Sequence, residues 1–186
     1  MTYVFYIITS LFLIVLQTVI LPDLPVLNSV FDLTAMFVIY LGLLRSVREG
    51  FPIVLLLGVI MDNLSGAPFM VFITTYFWLY VGVRWLSRIL QVGMRFRLAF
   101  IIGAGILLEN LIFILAFGGV DALRQMSSTA VGTILPRLLW ALIFGPILIL
   151  ILEHVHRIWD RWVQTFLVRR SDSVSYTHLT LPTIQL

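Results

Sequence analysis

Long apolar runs separated by short polar clusters organise this chain. The runs at 3–21, 69–85, 98–118 and 134–152 each come close to the roughly 20 apolar residues that a helix needs to cross a hydrocarbon core about 30 Å thick. Two shorter runs, 33–44 and 51–61, lie between the first two. They form either two spans with polar residues at their outer ends or one re-entrant hairpin. A hairpin would carry Arg45, Arg48 and Glu49 at its tip, and each arginine at the membrane centre costs about 2.5–3.5 kcal/mol. Two spans cost less. They are expected to reach outward to residues 26 and 68, taking Asp32, Asp62, Asn63 and Ser65 into the outer part of the bundle. The runs are continuous rather than alternating, which excludes barrel strands. The pattern predicts an all-α membrane protein with six transmembrane helices.

Arginine placement then orients the spans. Six spans put both termini and the even-numbered loops on one side. That side holds Arg45 and Arg48, then Arg84, Arg88, Arg95 and Arg97, then Arg157, Arg161, Arg169 and Arg170. The other side holds Arg124 and the membrane-embedded Arg137. Ten arginines against two predict that both termini are cytoplasmic. Helix punctuation fits. Pro22 and Pro25 follow span one, and Gly118–Gly119 should end span five. Pro52 is expected at the start of span three, where proline costs no hydrogen bond, and Pro146 should kink span six. The first run has no basic n-region and no small-residue cleavage site, so a retained first helix is expected.

Composition agrees with this class. The 186 residues are 61% hydrophobic and 11% charged, with a mean hydropathy of +1.08. A soluble domain carries roughly 25% charged residues. Here the charges are too few to cover a globular surface, and lipid is expected to cover the rest. No cysteine is present, which excludes disulfides and thiolate metal sites. Every basic residue is arginine, and the net charge of +3 calls for no nucleic-acid partner. Residues 174–183 read VSYTHLTLPT, which looks like a sequencing adaptor translated in frame. The chain is therefore expected to comprise a six-helix transmembrane domain over 1–152, a cytoplasmic amphipathic helix over 153–170, and a non-native tail over 174–186.

Several polar residues are candidates for function. Gly50, Val54, Gly58 and Asp62 fall on one helical stripe. Small residues there let another helix approach closely. Asp62 reads either as an anchor for a partner or a neighbouring span, or as an interfacial N-cap-like or C-terminal turn residue in Asp62-Asn-Leu-Ser-Gly66. Glu109 lies near the middle of span five, and a carboxyl inside a membrane marks a functional site by default. Its expected partners are Asn110 and Arg137; a glutamate bonded to backbone and an arginine snorkelling outward are the plainer readings. Arg84, Arg88, Arg95 and Arg97 are expected to meet anionic lipid or a cytoplasmic partner.

Over 153–170, Val155, Ile158, Trp159, Trp162, Val163, Phe166 and Leu167 follow helical spacing. Arg157, Asp160, Arg161 and Gln164 lie opposite. This basic amphipathic helix is expected to lie on the membrane interface or pack on a partner, with Arg157 and Arg161 contacting lipid or that partner. His154 and His156 diverge on a helix and with Glu153 make a poor metal site. Gly103-Ala-Gly105 marks close helix packing. There is no phosphate-binding loop, no nucleophile–base pair and no pair of catalytic carboxylates, so neither an enzyme nor a cofactor is expected.

The segment Arg45-Ser-Val-Arg-Glu-Gly50, followed by Leu57-Gly-Val-Ile-Met-Asp-Asn-Leu-Ser-Gly66 and Phe69, resembles the MreD family of rod-shape membrane proteins. Phe31-Asp32-Leu33 ahead of span two fits the same pattern, whereas Met70 stands where that family more often has glycine. The resemblance implies a non-catalytic scaffold of the bacterial inner membrane that regulates cell shape and lateral peptidoglycan synthesis. It implies MreC as direct partner, with the MreB filament and the RodA glycosyltransferase and its transpeptidase reached through the complex. It also implies a fold similar to the substrate-binding subunits of energy-coupling-factor transporters. Such a subunit is the alternative function. Those subunits usually carry an Ala-x-x-x-Ala motif on span one, and 3–21 has none.

Overall fold

Every regular element among the described residues is helical. The computed structural model describes residues 2–21, 32–66, 68, 70–90, 94–124 and 128–172. Six helices follow in order: α1 (Thr2–Val15), α2 (Leu33–Leu44), α3 (Val47–Ser65), α4 (Val71–Ile89), α5 (Met94–Arg124) and α6 (Ser128–Asp172). α1 continues into a π-helical turn, Leu16–Ile20. Pro22, Pro25 and the adaptor-like tail lie outside the described residues.

The helices correspond to the six apolar runs, but several boundaries differ from those expected. α3 begins at Val47, so Pro52 sits inside it rather than at its start. Proline has no N–H to give the carbonyl four residues back, here that of Arg48. The Tyr3 hydroxyl of α1 donates to this carbonyl at 2.9 Å. α5 does not end at Gly118–Gly119 but runs on to Arg124. α6 passes through Pro136 and Pro146 and across residues 152–153 without a break. The expected amphipathic helix is thus the far part of α6 and not a separate element.

Turn chemistry closes the other ends. The Asp32 side chain caps α2, its Oδ1 accepting from the Ala35 N–H at 2.9 Å. α3 ends on Gly66 at φ 65°, the left-handed position that glycine occupies without a Cβ clash. Met70, just ahead of α4, has φ 71° and is the only non-glycine residue with positive φ among those described. A side-chain residue pays roughly 1–2 kcal/mol for that conformation.

Hydrogen bonds fix how the helices run. Tyr3 meets Arg48, and Arg45 meets Glu153, at one end of the bundle. Asp62 meets Phe72 at the opposite end. Phe113 of α5 lies against Phe72, their rings 5.2 Å apart, while Arg97 at its start lies beside Leu90, so the six helices alternate in direction, with an arginine end and an aspartate end. The start of α1 and the Glu153 turn of α6 share the arginine end.

α2 forms the centre. All residues from Leu33 to Gly42 are buried, and every other helix packs on it. Around it the closest pair is α3 with α4. A Cβ on Gly58 would stand 2.7 Å from Ile73 Cα, so the two backbones touch there. Gly105 of α5 similarly admits Ile39 and Leu79, where a Cβ would lie 3.0 and 3.2 Å from their Cδ1 atoms. Of the close packing expected at Gly103-Ala-Gly105, Gly105 shows it, while a Cβ on Gly103 would meet its nearest neighbours only at 3.7 and 3.9 Å. The periphery is apolar and open: Phe12 on α1, Phe100 on α5, and Ile143 and Leu150 on α6 are all exposed.

Three helices are long and apolar enough to cross a membrane, over Tyr3–Ile20, Arg97–Ala116 and Ile134–Thr165. The last stretch has 32 residues. At about 1.5 Å per residue it measures about 48 Å, more than a hydrocarbon core of about 30 Å. α2 is apolar but short. α3 and α4 carry Arg48, Glu49, Asp62, Arg84 and Arg88 within 19 residues each.

Candidate functional site

Polar side chains gather in three places: two toward the aspartate end and one at the arginine end. The first is Asp62 itself. It is 8% exposed, on the last turn of α3. Its Oδ1 accepts from the Phe72 N–H at 2.8 Å and its Oδ2 from the Ile73 N–H at 3.3 Å. Those N–H groups are orphans of the first turn of α4. A carboxylate on them is a charge-assisted cap, and it also complements the positive end of the helix dipole. Gly58, one turn earlier, brings the α4 backbone within reach. The predicted stripe of Gly50, Val54, Gly58 and Asp62 is buried in full, and its partner is α4 of the same chain. These contacts fit both readings of Asp62, the anchor for a neighbouring span and the cap-like residue at a helix end. Asn63 turns away, and its amide donates to the Val59 carbonyl of its own helix.

The second cluster is built on the cap of α2. Asp32 Oδ1 accepts from Gln17 Nε2 at 3.2 Å and from Thr34 Oγ1 at 2.7 Å. Gln17 Oε1 accepts from the Thr34 N–H at 3.0 Å. The Thr34 hydroxyl also pairs with the Tyr76 hydroxyl at 2.6 Å. Three elements, the π-turn, α2 and α4, thus meet through one set of bonds. Glu109, 6% exposed, faces this set from the middle of α5, and the charges of Asp32 and Arg137 act on it. Its Oε2 is buried with no hydrogen-bond partner among the described residues.

Asn110 and Arg137 were the expected partners of Glu109. Arg137 Nη1 reaches Asn110 Oδ1 at a long 3.5 Å, while the Asn110 amide donates to the Ile106 carbonyl. Arg137 acts on Glu109 as expected, and so does Asp32, which was not expected. Because Glu109 sits at mid-helix in α5, the cap of α2 lies inside the bundle and not at its rim.

The third cluster stands at the arginine end. Arg45, in the turn between α2 and α3, gives its Nη2 to Tyr40 Oη at 2.8 Å and to Glu153 Oε2 at 2.9 Å. Arg84 Nη1 donates to the Arg45 carbonyl at 2.7 Å. Arg157 pairs with Glu153 Oε1 at 3.2 Å. The turn is therefore tied to α4 and α6 at once. One turn further along α6, His156 is 2% exposed. Its ring stacks on Tyr6 at 5.4 Å, with Phe5 edge-on at 4.8 Å. Its Nε2 lies 3.2 Å from Asp160 Oδ2.

The expected lipid-facing or partner-facing arginines divide accordingly. Arg84 is spent on internal structure, and Arg157 is exposed but paired with Glu153. Arg88 and Arg161 are exposed, with Arg161 Nε on the Arg157 carbonyl. Arg97 is partly buried, and its Nε has no partner among the described residues. The Arg95 side chain lies outside the described residues. The apolar face expected over 153–170 is split. Trp159 packs against Phe5 of α1, its ring 5.7 Å away, while Val155, Ile158 and Trp162 are exposed. His156, placed on no apolar face by spacing, takes the central buried position. The side chains of Phe166 and Leu167 lie outside the described residues.

Gln17, Thr34, Tyr76 and Tyr40 drew no functional attention in the sequence, and His156 drew it only as a poor metal ligand. Thr34 two residues after Asp32 at the start of an apolar run is the one local cue, a capping pattern. The described helices suggest a helical membrane protein, three of them being able to cross a bilayer by length and composition. No protein-family model, curated protein or solved structure matches the chain.

Proposed function

We propose that this chain is a non-enzymatic scaffold or regulatory subunit of the bacterial cell-elongation complex, a MreD-like protein of the inner membrane. In this reading all six helices cross the membrane, the arginine end is cytoplasmic, and both termini lie there. MreC is the direct partner, and MreB, RodA and its transpeptidase are reached through the complex. Lateral peptidoglycan synthesis and cell shape are what it regulates.

The observation that carries this reading is the segment from Arg45 to Phe69. Its resemblance to MreD rests on an arginine-glycine turn and a Gly-x-x-x-Asp run. Each of those residue types has a physical task in the fold. Arg45 ties the turn to α6, Gly58 lets α3 touch α4, and Asp62 caps α4. A segment used this way supports a rigid platform rather than a mobile catalytic loop.

The test is co-purification of the full chain with the MreC protein of the same genome. A stable complex in detergent is the expected result. Its absence, with both proteins folded and inserted, overturns the proposal. Topology is tested separately. The chain has no cysteine, so single cysteines at Ser46 and Ser65 can be labelled from either side of the membrane. Ser46 should react from the cytoplasm and Ser65 from the outside.

A transporter substrate subunit is the second reading. The set of Gln17, Asp32, Thr34, Tyr76 and Glu109, the last three buried and the first two partly so, favours it, because polar groups inside an apolar bundle are the means of holding a polar solute. Tight binding of a vitamin by the purified chain would bring this reading to the front.

A further inference from the structure

A groove of about 520 Å³ runs between α5 and α6 and is lined at one end by Leu90, the residue that follows α4. This volume lies within the usual range of small-ligand sites, about 300–1,000 Å³. Its floor is Gly103 and Ala104 of α5, and one wall is Leu138 and Leu142 of α6. A Cβ on Gly103 would meet those two leucines only at 3.7–3.9 Å, so the floor is open rather than closed by packing. Phe100 and Leu107, both at least half exposed, form its rim. One charged group lines the groove, Arg97, whose buried Nε has no hydrogen-bond partner among the described residues.

Length and charge select the occupant. From Arg97 to Leu107 the groove follows α5 for ten residues, about 15 Å at 1.5 Å per residue. That is about half of a hydrocarbon core of about 30 Å, the depth of one leaflet. A ligand matching it has an anionic group at the arginine end and a single apolar chain reaching the bilayer midplane. The Arg97 guanidinium suits a phosphate oxygen, which accepts charge-assisted bonds. The walls suit an acyl chain. We infer that this groove is a site for one anionic phospholipid of the leaflet on the arginine side, with its phosphate on Arg97 and an acyl chain along Gly103 and Ala104. This depends on α5 crossing the membrane and does not depend on any protein partner.

The test reconstitutes the full chain in vesicles of phosphatidylcholine with a minor fraction of phosphatidylglycerol. Lipids that stay with the protein are then counted by native mass spectrometry. The wild-type chain should retain one phosphatidylglycerol in preference to phosphatidylcholine. Arg97→Gln should cut that preference by about fivefold, the ratio expected for one arginine at a lipid surface, whereas Arg88→Gln, which changes an exposed arginine outside the groove, should leave it unchanged. Gly103→Leu should fill the groove and remove the retained lipid of either kind, with Ala104→Leu as a second block if that variant does not fold. A preference that survives Arg97→Gln, or a retained lipid untouched by a folded blocking variant, overturns the inference. So does a chain that carries no lipid and instead forms a dimer that Gly103→Leu disrupts, since the groove would then hold a second copy.

Discussion

α2 and α6 are both apolar, yet they occupy opposite situations. Ten of the twelve residues of α2 are buried, whereas only 17% of the apolar stretch of α6 is. In water such a contrast would be written in hydrophobicity. In lipid it is not, because lipid tails are as apolar as a leucine side chain and give no premium for leaving them. The helices best able to span by composition, α1, α5 and α6, are the least buried. What marks buried contact here is small and polar residues: Gly42, Gly50 and Gly58 against α4, Gly105 against α2, and Asp32 and Asp62 as caps. Hydrophobic runs locate helices, and their exceptions locate the packing.

This contrast can be broken by substitution, with stability read as thermal or denaturant unfolding in detergent. Leu41→Ala in α2 should have the largest effect, a loss of about 2–5 kcal/mol, because a fully buried leucine leaves a cavity. Gly58→Ala should cost about 1–3 kcal/mol by overpacking, since the added methyl meets the backbone of Ile73. Asp62→Ala should cost about 1–2 kcal/mol through the lost cap of α4. Asn63→Ala, next to it but turned outward, should stay within about 0.5 kcal/mol. Met70→Gly should stabilise by about 0.5–1 kcal/mol, because it relieves a left-handed backbone position but makes the unfolded chain freer. Leu150→Ala on α6 should change stability least, by less than about 0.5 kcal/mol. A Leu150 effect as large as that of Leu41 would mean that α6 is buried against another molecule, and the contrast would collapse.

Much of this was legible in the sequence. The six apolar runs give the six helices, and the four-residue spacing of Gly50, Val54, Gly58 and Asp62 marks a face for close helix approach, which α4 occupies. Met70 stood out as a place for glycine, and its backbone has the conformation that glycine favours. The boundaries were less legible. Gly118–Gly119 was read as a helix end and Pro52 as a helix start, and the helices run through both. The missing bond at Pro52 is met by Tyr3, a residue far away in sequence. The approach of Glu109 to Asp32 was also hidden. It depends on how deep α2 begins within the bundle and on the π-turn that sets Gln17, and no local spacing encodes either. His156 was considered only as a metal ligand and set aside because it diverges from His154 on a helix, yet its ring provides an aromatic face for Tyr6.

The pair of Arg45 and Glu153 spans 108 residues of sequence. At about 5–20 residues per second of synthesis, roughly 5–20 s separate the emergence of the two partners. Through that interval the turn between α2 and α3 has Tyr40 beside its arginine but not the carboxylate. The ionic link across the arginine end therefore acts as a timing element. It closes only when the last helix has arrived, and a chain that stalls before Glu153 is left with its latch undone.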